Sequence, residues 1–248
     1  MDNKKLDIAL AVITWKKPIT LKNTLQSYKI NGLLDICSEF LLWCNNRTLE
    51  QEKIAEEFNF QIFGPRTRNI GAGHGFVRLA ELCTSKYILC LEDDFVLTEN
   101  FNQVLHELKT GIYLLENNIS NTVRYRHRKN PGVPLCSQDL RNQEWICMPL
   151  LFEAVFFRDD PTDLVEITRD ESGAYITSYM YSMYTNNPVL YNTDWFYNNI
   201  GCKIMPSEQD PDSLRGSFET NMIKIWDNIK PIVAHAPLGL FTHMDLGV

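Results

Sequence analysis

Hydrophobic and polar positions follow one another in blocks over the first 117 residues. Short apolar runs of the length and composition typical of buried strands are each followed by a segment with helical periodicity. The predicted strands are 7–15, 40–44, 60–63 and 86–92; the predicted helices are 18–29, 48–58, a helix from a glycine-rich turn to 83, and one from 99 onwards. Four strand-then-helix units predict an α/β protein with a parallel, Rossmann-like sheet.

Several helix ends have recognisable signals. Pro18 opens the first helix, Thr48 and Gln51 form a capping box for the second, and Thr98 is the expected N-cap of the helix from Glu99. After about Asn117 the regular pattern gives way to polar and aromatic segments, with helices indicated only near 191–200 and 216–229. The sequence therefore predicts a smaller, irregular C-terminal part.

Three carboxylates follow the last of the predicted strands. Five apolar residues, 87–91, run directly into Glu92, Asp93 and Asp94. Ligands of open α/β sheets bind outside the carboxyl ends of the strands, where carboxylates can hold a hard divalent cation and the cation can hold phosphates. Glu92 and Asp94 project to the same side of an extended chain and are the expected metal-facing pair. Asp93 is an alternative ligand or a partner for a sugar hydroxyl; a solvated acidic loop is the simpler alternative for all three.

A glycine-rich segment, 64–75, precedes the third predicted helix. Its glycines would let a ligand approach the backbone at a helix N-terminus, and Arg66 and Arg68 could neutralise phosphate. The spacing matches neither the dinucleotide-binding fingerprint nor a P-loop. A tight strand-to-helix turn with arginines facing solvent is the alternative interpretation.

Composition narrows the classes of partner. The net charge of −7 and the lack of a Lys/Arg run argue against a nucleic-acid partner. No apolar stretch approaches the roughly 20 residues of a membrane span, and the N-terminus has no signal-peptide core. Seven cysteines, odd in number and without a C-x-x-C pair, are typical of buried thiols. We expect a cytoplasmic protein.

Four motifs together resemble a known family. They are Thr14-Trp15-x-x-Pro18, Cys44-Asn45-Asn46, Arg68-Asn69-Ile70-Gly71 and Glu92-Asp93-Asp94. In this order, each near the end of a strand, they resemble the GT-A glycosyltransferases, particularly the inverting family-2-like enzymes and the small versions found in large DNA viruses. The resemblance is good over residues 6–110 and thin afterwards. It implies a GT-A fold with a mainly parallel central sheet and a C-terminal acceptor subdomain.

The resemblance also implies how a donor would bind. Glu92-x-Asp94 corresponds to the element that holds Mn²⁺ or Mg²⁺ on the donor diphosphate. The first two strand ends receive the nucleoside and the glycine-rich segment approaches the donor, which implies donor-binding roles for Thr14, Trp15, Cys44, Asn45, Asn46, Arg66, Arg68, Asn69, Gly71 and Asp93. Two departures are a Glu in place of the usual first Asp, and Cys44 where an acidic residue commonly contacts the base.

The C-terminal candidates also rest on the resemblance. Glu219, in Ser217-Phe218-Glu219, is the nearest match to the family's catalytic carboxylate, with Asp194 and Asp210 as reserves. Favourable interaction with a helix dipole is the alternative role for Glu219. His243, near the chain end, resembles a further metal ligand of the family, and an exposed terminal histidine is the alternative.

The middle of the chain suggests where an acceptor would bind. Segments 124–129 and 179–195 combine aromatic, cationic and amide side chains, which suits stacking on sugars and hydrogen bonding to hydroxyls. A solvated loop and core packing are the respective alternatives. The sequence thus suggests a nucleotide-sugar-binding half, 1–117, and an acceptor-binding and catalytic half, 118–248, of one domain.

The expected activity is transfer of a sugar from a nucleoside diphosphate donor, with a UDP-sugar expected, to a hydroxyl of a glycan or other acceptor, with inversion. Two other classes stay open. A sugar nucleotidyltransferase commonly has a glycine-rich loop after its first strand, which residues 14–18 lack. A non-catalytic sugar-binding module would keep the aromatic groove but would need no metal site.

Overall fold

The protein is built around one nine-stranded sheet. The structure is a computed structural model that describes residues 5–132, 160–163, 166–182, 184–186, 188–204, 222 and 225–244. The sheet has the strand order β3-β2-β1-β4-β9-β6-β10-β8-β7, and β11 pairs separately with β5. The strands are β1 Leu6–Trp15, β2 Cys37–Asn45, β3 Gln61–Phe63, β4 Tyr87–Glu92, β5 Phe95–Leu97, β6 Thr122–Arg124, β7 Ile167–Arg169, β8 Tyr175–Ser178, β9 Val189–Asn192, β10 Ile232–His235 and β11 Phe241–His243.

Helices cover both faces of the first four strands of the sheet. Residues 8–12 of β1 are fully buried, because a parallel strand between two helical layers has no solvent-facing side. One face packs against α1, α2, α3 and α5, and the other against α4. The helices are α1 Pro18–Ile30, α2 Leu33–Ile36, α3 Leu49–Glu57, α4 Ala72–Leu82, α5 Phe101–Glu116, α6 Thr193–Phe196 and α7 Cys202–Ile204.

The sheet is parallel throughout its first four strands and mixed in the other five, where β6 and β10 are parallel. Strands β3, β2, β1 and β4 are parallel, as predicted. Strand β9 is then antiparallel to both β4 and β6, and β8 is antiparallel to β10 and β7. The expectation of a mainly parallel sheet therefore holds for the first half, and the second half is mixed; its strands of three or four residues are too short to give a clear periodic signal. The single sheet runs through both predicted halves of the chain.

Helix starts show where capping signals succeed and fail. The Thr48–Gln51 capping box is present at α3, as predicted. The helix expected from Glu99 begins instead at Phe101, and Asn100 is its N-cap. Thr98 is unavailable as a cap because its backbone N–H and its hydroxyl both donate to the carbonyl of Leu240, next to β11.

The predicted helix over 191–200 begins two residues late, because Tyr191 and Asn192 belong to β9. Helix α6 continues through a π-helical turn, Tyr197–Gly201, into α7. Of the helix predicted over 216–229, residues 225–229 are helical and most of the rest lies outside the described residues.

Five of the seven cysteines lie in the described ranges, and all five are free thiols. Cys37, Cys44 and Cys90 are buried, Cys83 is partly buried and Cys202 is exposed. No helix in the described part of the chain is long and apolar enough to cross a membrane.

Candidate functional site

A cleft opens at the carboxyl ends of three neighbouring parallel strands, β2, β1 and β4. Its volume is about 210 Å³. Parallel strands that end together expose their last side chains at one sheet edge, which explains why residues distant in sequence meet there. The lining residues are Ile13, Thr14, Trp15, Lys17, Asn45, Asn69, Gly71, Ala72, Glu92, Asp93 and Asp94.

The three predicted acids line this cleft, but they are not on one extended strand. Strand β4 ends at Glu92, and Asp93 and Asp94 form a turn that leads into β5. The sequence analysis placed Asp93 on the opposite side from Glu92 and Asp94 because side chains alternate along an extended chain. That alternation ends at Glu92. We call residues 92–94 the acidic turn.

Asp93 is held inside the protein. Its carboxylate Oδ2 accepts a hydrogen bond from Thr14 Oγ1, and its backbone carbonyl accepts one from Thr24 Oγ1 at 2.6 Å. Burial raises the pKa of Asp93 to about 6, although the Thr14 hydrogen bond acts in the opposite direction. With its side chain engaged by β1, Asp93 contributes to the cleft mainly by fixing the turn.

Asp94 lies between two basic groups. Its Oδ1 is 3.4 Å from Nε2 of His243, and its Oδ2 is 3.5 Å from Nζ of Lys17. Burial alone would raise the pKa of Asp94, but the two basic groups outweigh burial and lower it below its usual value. His243 is oriented from behind by the ring of Phe95, whose centroid is 4.8 Å away.

The Asp94–His243 pair has the spacing of two ligands of one cation. Asp94 Oδ1 is buried and forms no hydrogen bond of good geometry, the state expected of an oxygen reserved for a ligand. Two ligand atoms at right angles around a cation, with bonds of about 2.1 Å, lie roughly 3 Å apart. No group of three His, Cys, Asp or Glu side chains within the described ranges is arranged to hold a metal ion. The described residues thus bring together two of the predicted ligands, Asp94 and His243.

The end of β2 presents an amide to the cleft. Asn45 Oδ1 accepts hydrogen bonds from Ile70 N at 3.1 Å and from Trp43 Nε1 at 3.2 Å. Because both donors are on the protein, they fix the amide group of Asn45, which lines the cleft. Asn45 thus offers a hydrogen-bond donor where a carboxylate would offer an acceptor.

Cys44 faces the other way. Its side chain is fully buried in the core shared with α1 and α3, and burial raises the pKa of its thiol to about 12. The expectation that Cys44 contacts the nucleoside does not agree with this position, because adjacent strand residues point to opposite faces. Asn46, in a left-handed turn, donates its backbone N–H to the carbonyl of Arg68 and so ties β2 to the glycine-rich segment.

The glycine-rich segment contributes Asn69 and Gly71 to the cleft, but not its arginines. Gly71 has a φ of +82° and is the N-cap of α4, and its N–H donates to Asn69 Oδ1 at 2.7 Å. Arg66 instead forms an ion pair with Glu52 on α3 at 2.5 Å, and Arg68 is exposed and does not line the cleft.

Lys17 is the cation that lines the cleft, and the sequence analysis missed it. It precedes the first helical residue, Pro18, so the turn from β1 into α1 directs it over Asp94. The available signal was its position directly after a strand end, which is where ligand-binding residues of parallel sheets lie. Trp15, also at the end of β1, is half-exposed at the rim of the cleft.

Of the three candidate bases, Asp194 lies within the described residues. Glu219 and Asp210 lie outside the described residues. Asp194 lies at the start of α6, beside the beginning of β4, because Asn192 pairs with Tyr87 in the sheet. The length of β4, at about 3.3 Å per residue, puts this position roughly 17 Å from Glu92. Asp194 therefore does not fit the role of a base at this cleft.

The basic segment 124–129 is largely interior. Arg124, Arg126 and His127 are buried, so neither a solvated loop nor an open acceptor site describes them. His127 Nε2 contacts Glu99 at 3.0 Å, and Arg126 Nε donates to the carbonyl of Pro131 at 2.7 Å. The backbone N–H of His243 donates to the same carbonyl, so this segment supports β11.

The fold is similar to that of S. aureus TarS, despite low sequence identity. The structure of TarS 1-349 superposes with a TM-score of 0.59 at 13% identity, covering 98% of this chain and 61% of that one. The complex of TarS 1-349 with UDP gives 0.57 at 13% identity, covering 96% of this chain and 60% of the other. The complex with UDP-GlcNAc gives 0.56 at 14% identity, covering 99% and 62%.

No protein-family model and no curated protein sequence matches the chain. The chain spans about three fifths of the length of the TarS structures, so the similarity concerns that part of TarS. These similarities are to proteins of S. aureus and give no support to the resemblance to viral enzymes. The described part of the chain therefore has a mixed α/β fold similar to that of TarS 1-349.

Proposed function

We propose that the protein is a metal-dependent glycosyltransferase that takes a sugar from a nucleoside diphosphate donor, most simply a UDP-sugar. The observation that carries the proposal is the Asp94–His243 pair beside Lys17, in a cleft at the carboxyl ends of the parallel strands. S. aureus TarS 1-349, which has this fold, was crystallised with UDP and with UDP-GlcNAc. Fold and charge together support a nucleotide sugar as the ligand.

The residues present fit a divalent cation. Asp94 and His243 would hold Mn²⁺ or Mg²⁺; Glu92 lines the same cleft without joining them in a three-ligand group. When bound, the cation supplies charge that stabilises the diphosphate as it leaves the sugar. Lys17 adds a positive charge beside Asp94, which also favours a diphosphate there.

The order of the strands sets the orientation of the donor. With the diphosphate at the end of β4, the nucleoside extends across β1 towards β2, where Asn45 presents its amide. Neighbouring strands lie about 4.8 Å apart, so β2 is roughly 10 Å from β4. A nucleoside attached to its diphosphate can span this distance. Thr14 and Trp15 lie between the two ends, and Trp15 provides an aromatic surface at the rim.

The acceptor hydroxyl needs a base, and Glu219 remains the first choice, followed by Asp210. A single base and direct attack of the hydroxyl on the anomeric carbon would invert its configuration. The proton passes from the acceptor to the carboxylate, and the nucleoside diphosphate leaves with the bonding electrons. We propose a glycan or a small hydroxyl compound as the acceptor, received by residues 118–248.

A donor panel tests the proposal. UDP-, GDP- and dTDP-sugars should be compared for thermal stabilisation of the protein with and without Mn²⁺, because a ligand that binds only the native state raises the melting temperature. A transferase would be supported if one class of donor stabilised the protein only in the presence of Mn²⁺ and slowly released its nucleoside diphosphate. Release of a nucleoside triphosphate and a sugar phosphate on addition of pyrophosphate would instead support a sugar nucleotidyltransferase. Stabilisation by free sugars alone would support a binding module.

A further inference from the structure

Side chains of helix α1 and of its C-cap residue, Asn31, donate hydrogen bonds to the acidic turn and β5. The three donors lie about one helical turn apart, and the three acceptors are alternate backbone carbonyls. The pairs are Thr24 Oγ1 to Asp93 O at 2.6 Å, Tyr28 Oη to Phe95 O at 2.8 Å, and Asn31 Nδ2 to Leu97 O at 3.0 Å. We call these three pairs the α1 ladder.

The α1 ladder occupies the edge of β5 that no strand of the described residues covers. The other edge of β5 pairs with β11. On that side, the carbonyl of Asp94 accepts a hydrogen bond from Met244 N, and Thr98 N donates one to Leu240 O. The backbone N–H and C=O groups of the even-numbered residues in this segment therefore face β11, and those of the odd-numbered residues face α1. An exposed strand edge would leave such carbonyls to solvent or to another strand, and here hydroxyls and an amide satisfy them.

The same helix also contacts the strand that carries His243. The ring of Tyr28 packs edge-on against Phe241 of β11, with centroids 5.8 Å apart. The ring of Phe95, whose carbonyl accepts the Tyr28 hydrogen bond, packs against His243. Tyr28 therefore touches both strands of the small β5–β11 sheet, one through its hydroxyl and the other through its ring.

Burial gives these hydrogen bonds little freedom. Thr24 is 1% exposed and Tyr28 is fully buried. Without its partner, a buried hydroxyl or carbonyl loses hydration that nothing replaces, so the α1 ladder holds the turn in one arrangement. Since Asp94 follows Asp93 directly, the position of the Asp93 carbonyl determines the backbone position from which the Asp94 side chain extends.

We propose that the α1 ladder is a positioning element for the cation site, with Thr24 and Tyr28 setting the separation of Asp94 from His243. Neither residue reaches the cleft; each acts through the backbone of residues 93–97. The inference rests on the proposed function, since it concerns the geometry of the same site. Its distinctive consequence is that a hydroxyl on the far side of the acidic turn controls metal-dependent nucleotide binding.

The isosteric substitutions Thr24→Val and Thr193→Val separate this positioning role from a general effect on stability. Thr24→Val removes the hydroxyl that donates to Asp93, and Thr24→Ser keeps it. Thr193→Val is a matched control, because buried Thr193 donates its hydroxyl to the carbonyl of Ser85 at 2.8 Å, next to the other end of β4. Each protein is examined for its urea midpoint, for calorimetric binding of UDP with Mn²⁺, and for hydrogen exchange of amides 93–98 without metal.

We expect both valine variants to lose stability, but only Thr24→Val to weaken Mn²⁺-dependent UDP binding, by about 10- to 100-fold as for other residues that orient metal ligands. Thr24→Ser should restore binding, and Thr24→Val should exchange amides 93–98 faster than the parent does. If Thr24→Val does not fold, the same measurements are made on Tyr28→Phe, which keeps the ring against Phe241 and removes the hydroxyl that donates to Phe95.

Equal UDP binding in Thr24→Val and Thr193→Val would overturn the inference. If the parent protein itself binds no UDP with Mn²⁺, the proposed function fails, and the exchange measurement alone decides about the α1 ladder. In that event, unchanged exchange of amides 93–98 in Thr24→Val would overturn it, and faster exchange confined to that segment would support it.

Discussion

The carboxylate of Asp94 and the imidazole of His243 face each other across 3.4 Å, although one follows β4 and the other ends β11. The pairing of β11 with β5 makes this possible, because His243 lies opposite Phe95, the residue after Asp94. The distance depends on backbone hydrogen bonding between two short strands. A cation site that rests on it should be sensitive to changes in either strand.

Asn45 should determine which nucleobase the cleft prefers. In Asn45→Asp, the carboxylate can still accept from Ile70 and Trp43, but its second oxygen replaces the NH₂ donor with an acceptor. Uracil has an N–H at position 3, where cytosine has an acceptor. We expect Asn45→Asp to lower affinity for CDP more than for UDP, by about tenfold for one lost hydrogen bond to a charged group. Calorimetry with both nucleotides gives the ratio, and an unchanged ratio would remove Asn45 from base recognition.

Lys17 should act on the diphosphate and not on the nucleoside. Lys17→Gln removes the charge beside Asp94, so UDP with Mn²⁺ should bind about tenfold more weakly while uridine binding stays the same, because the nucleoside carries no phosphate charge. Arg68→Gln is the matched comparison, since its exposed guanidinium does not line the cleft. A larger loss in Arg68→Gln than in Lys17→Gln would favour the prediction made from the sequence over the structural one.

Much of the parallel half could be predicted from the sequence, and the site only in part. Long apolar runs such as 8–13 determine their own burial, so β1 to β4 and the acidic turn were predictable. Lys17 was missed because the glycine-rich segment offered arginines with a more familiar pattern. The ion pair of Arg66 with Glu52 of α3 depends on how two elements pack, which local sequence does not reveal.

Cys44 shows a different limit. The family motif aligned residues 44–46 as a group, but strand alternation assigns Cys44 to the core and Asn45 to the cleft. Counting alternation along β2 would have corrected this. The short strands β6 to β11 could not be predicted, because runs of three or four residues are stabilised by their neighbours in the sheet and carry little periodic signal.

Glu219 should affect turnover without affecting donor binding, if it is the base. Glu219→Gln keeps the size of the side chain but removes the proton acceptor, and we expect turnover to fall by about 10²–10⁴-fold with unchanged UDP affinity. Asp210→Asn is the parallel variant. Full activity with a slightly lower melting temperature would assign Glu219 to a helix-dipole role, worth about 0.3–1 kcal/mol.

The stability of the fold should decrease in mild acid because of His235. Burial first, and then Arg124 and Arg128, lower its pKa well below the usual 6.5, so the native state keeps this imidazole neutral. Below pH 6.5 this imidazole takes up a proton in the unfolded chain but not in the folded one, so the contribution of His235 to the free energy of unfolding falls as pH falls, by at most about 1.4 kcal/mol per pH unit. Asp93, with its raised pKa of about 6, contributes with the opposite sign.

Urea unfolding between pH 7.5 and pH 5 measures this dependence. His235→Gln removes the titrating group but retains a polar side chain that can reach Ser182, whose hydroxyl lies 3.2 Å from His235 Nε2. The variant should have a smaller pH dependence than the parent over this range. An identical dependence in the two proteins would show that another group is responsible.

The central claim is that Asp94 holds a cation on a nucleoside diphosphate, and calorimetric titration of UDP in the presence and absence of Mn²⁺ tests it most directly. The account predicts that the parent binds UDP much more tightly with Mn²⁺, and that Asp94→Asn and His243→Gln lose this difference while they remain folded, since a neutral amide is a poorer ligand of similar size. His106→Gln, at an exposed position on α5, is the control. Equal Mn²⁺-dependent binding of UDP by the parent and by Asp94→Asn would contradict the account.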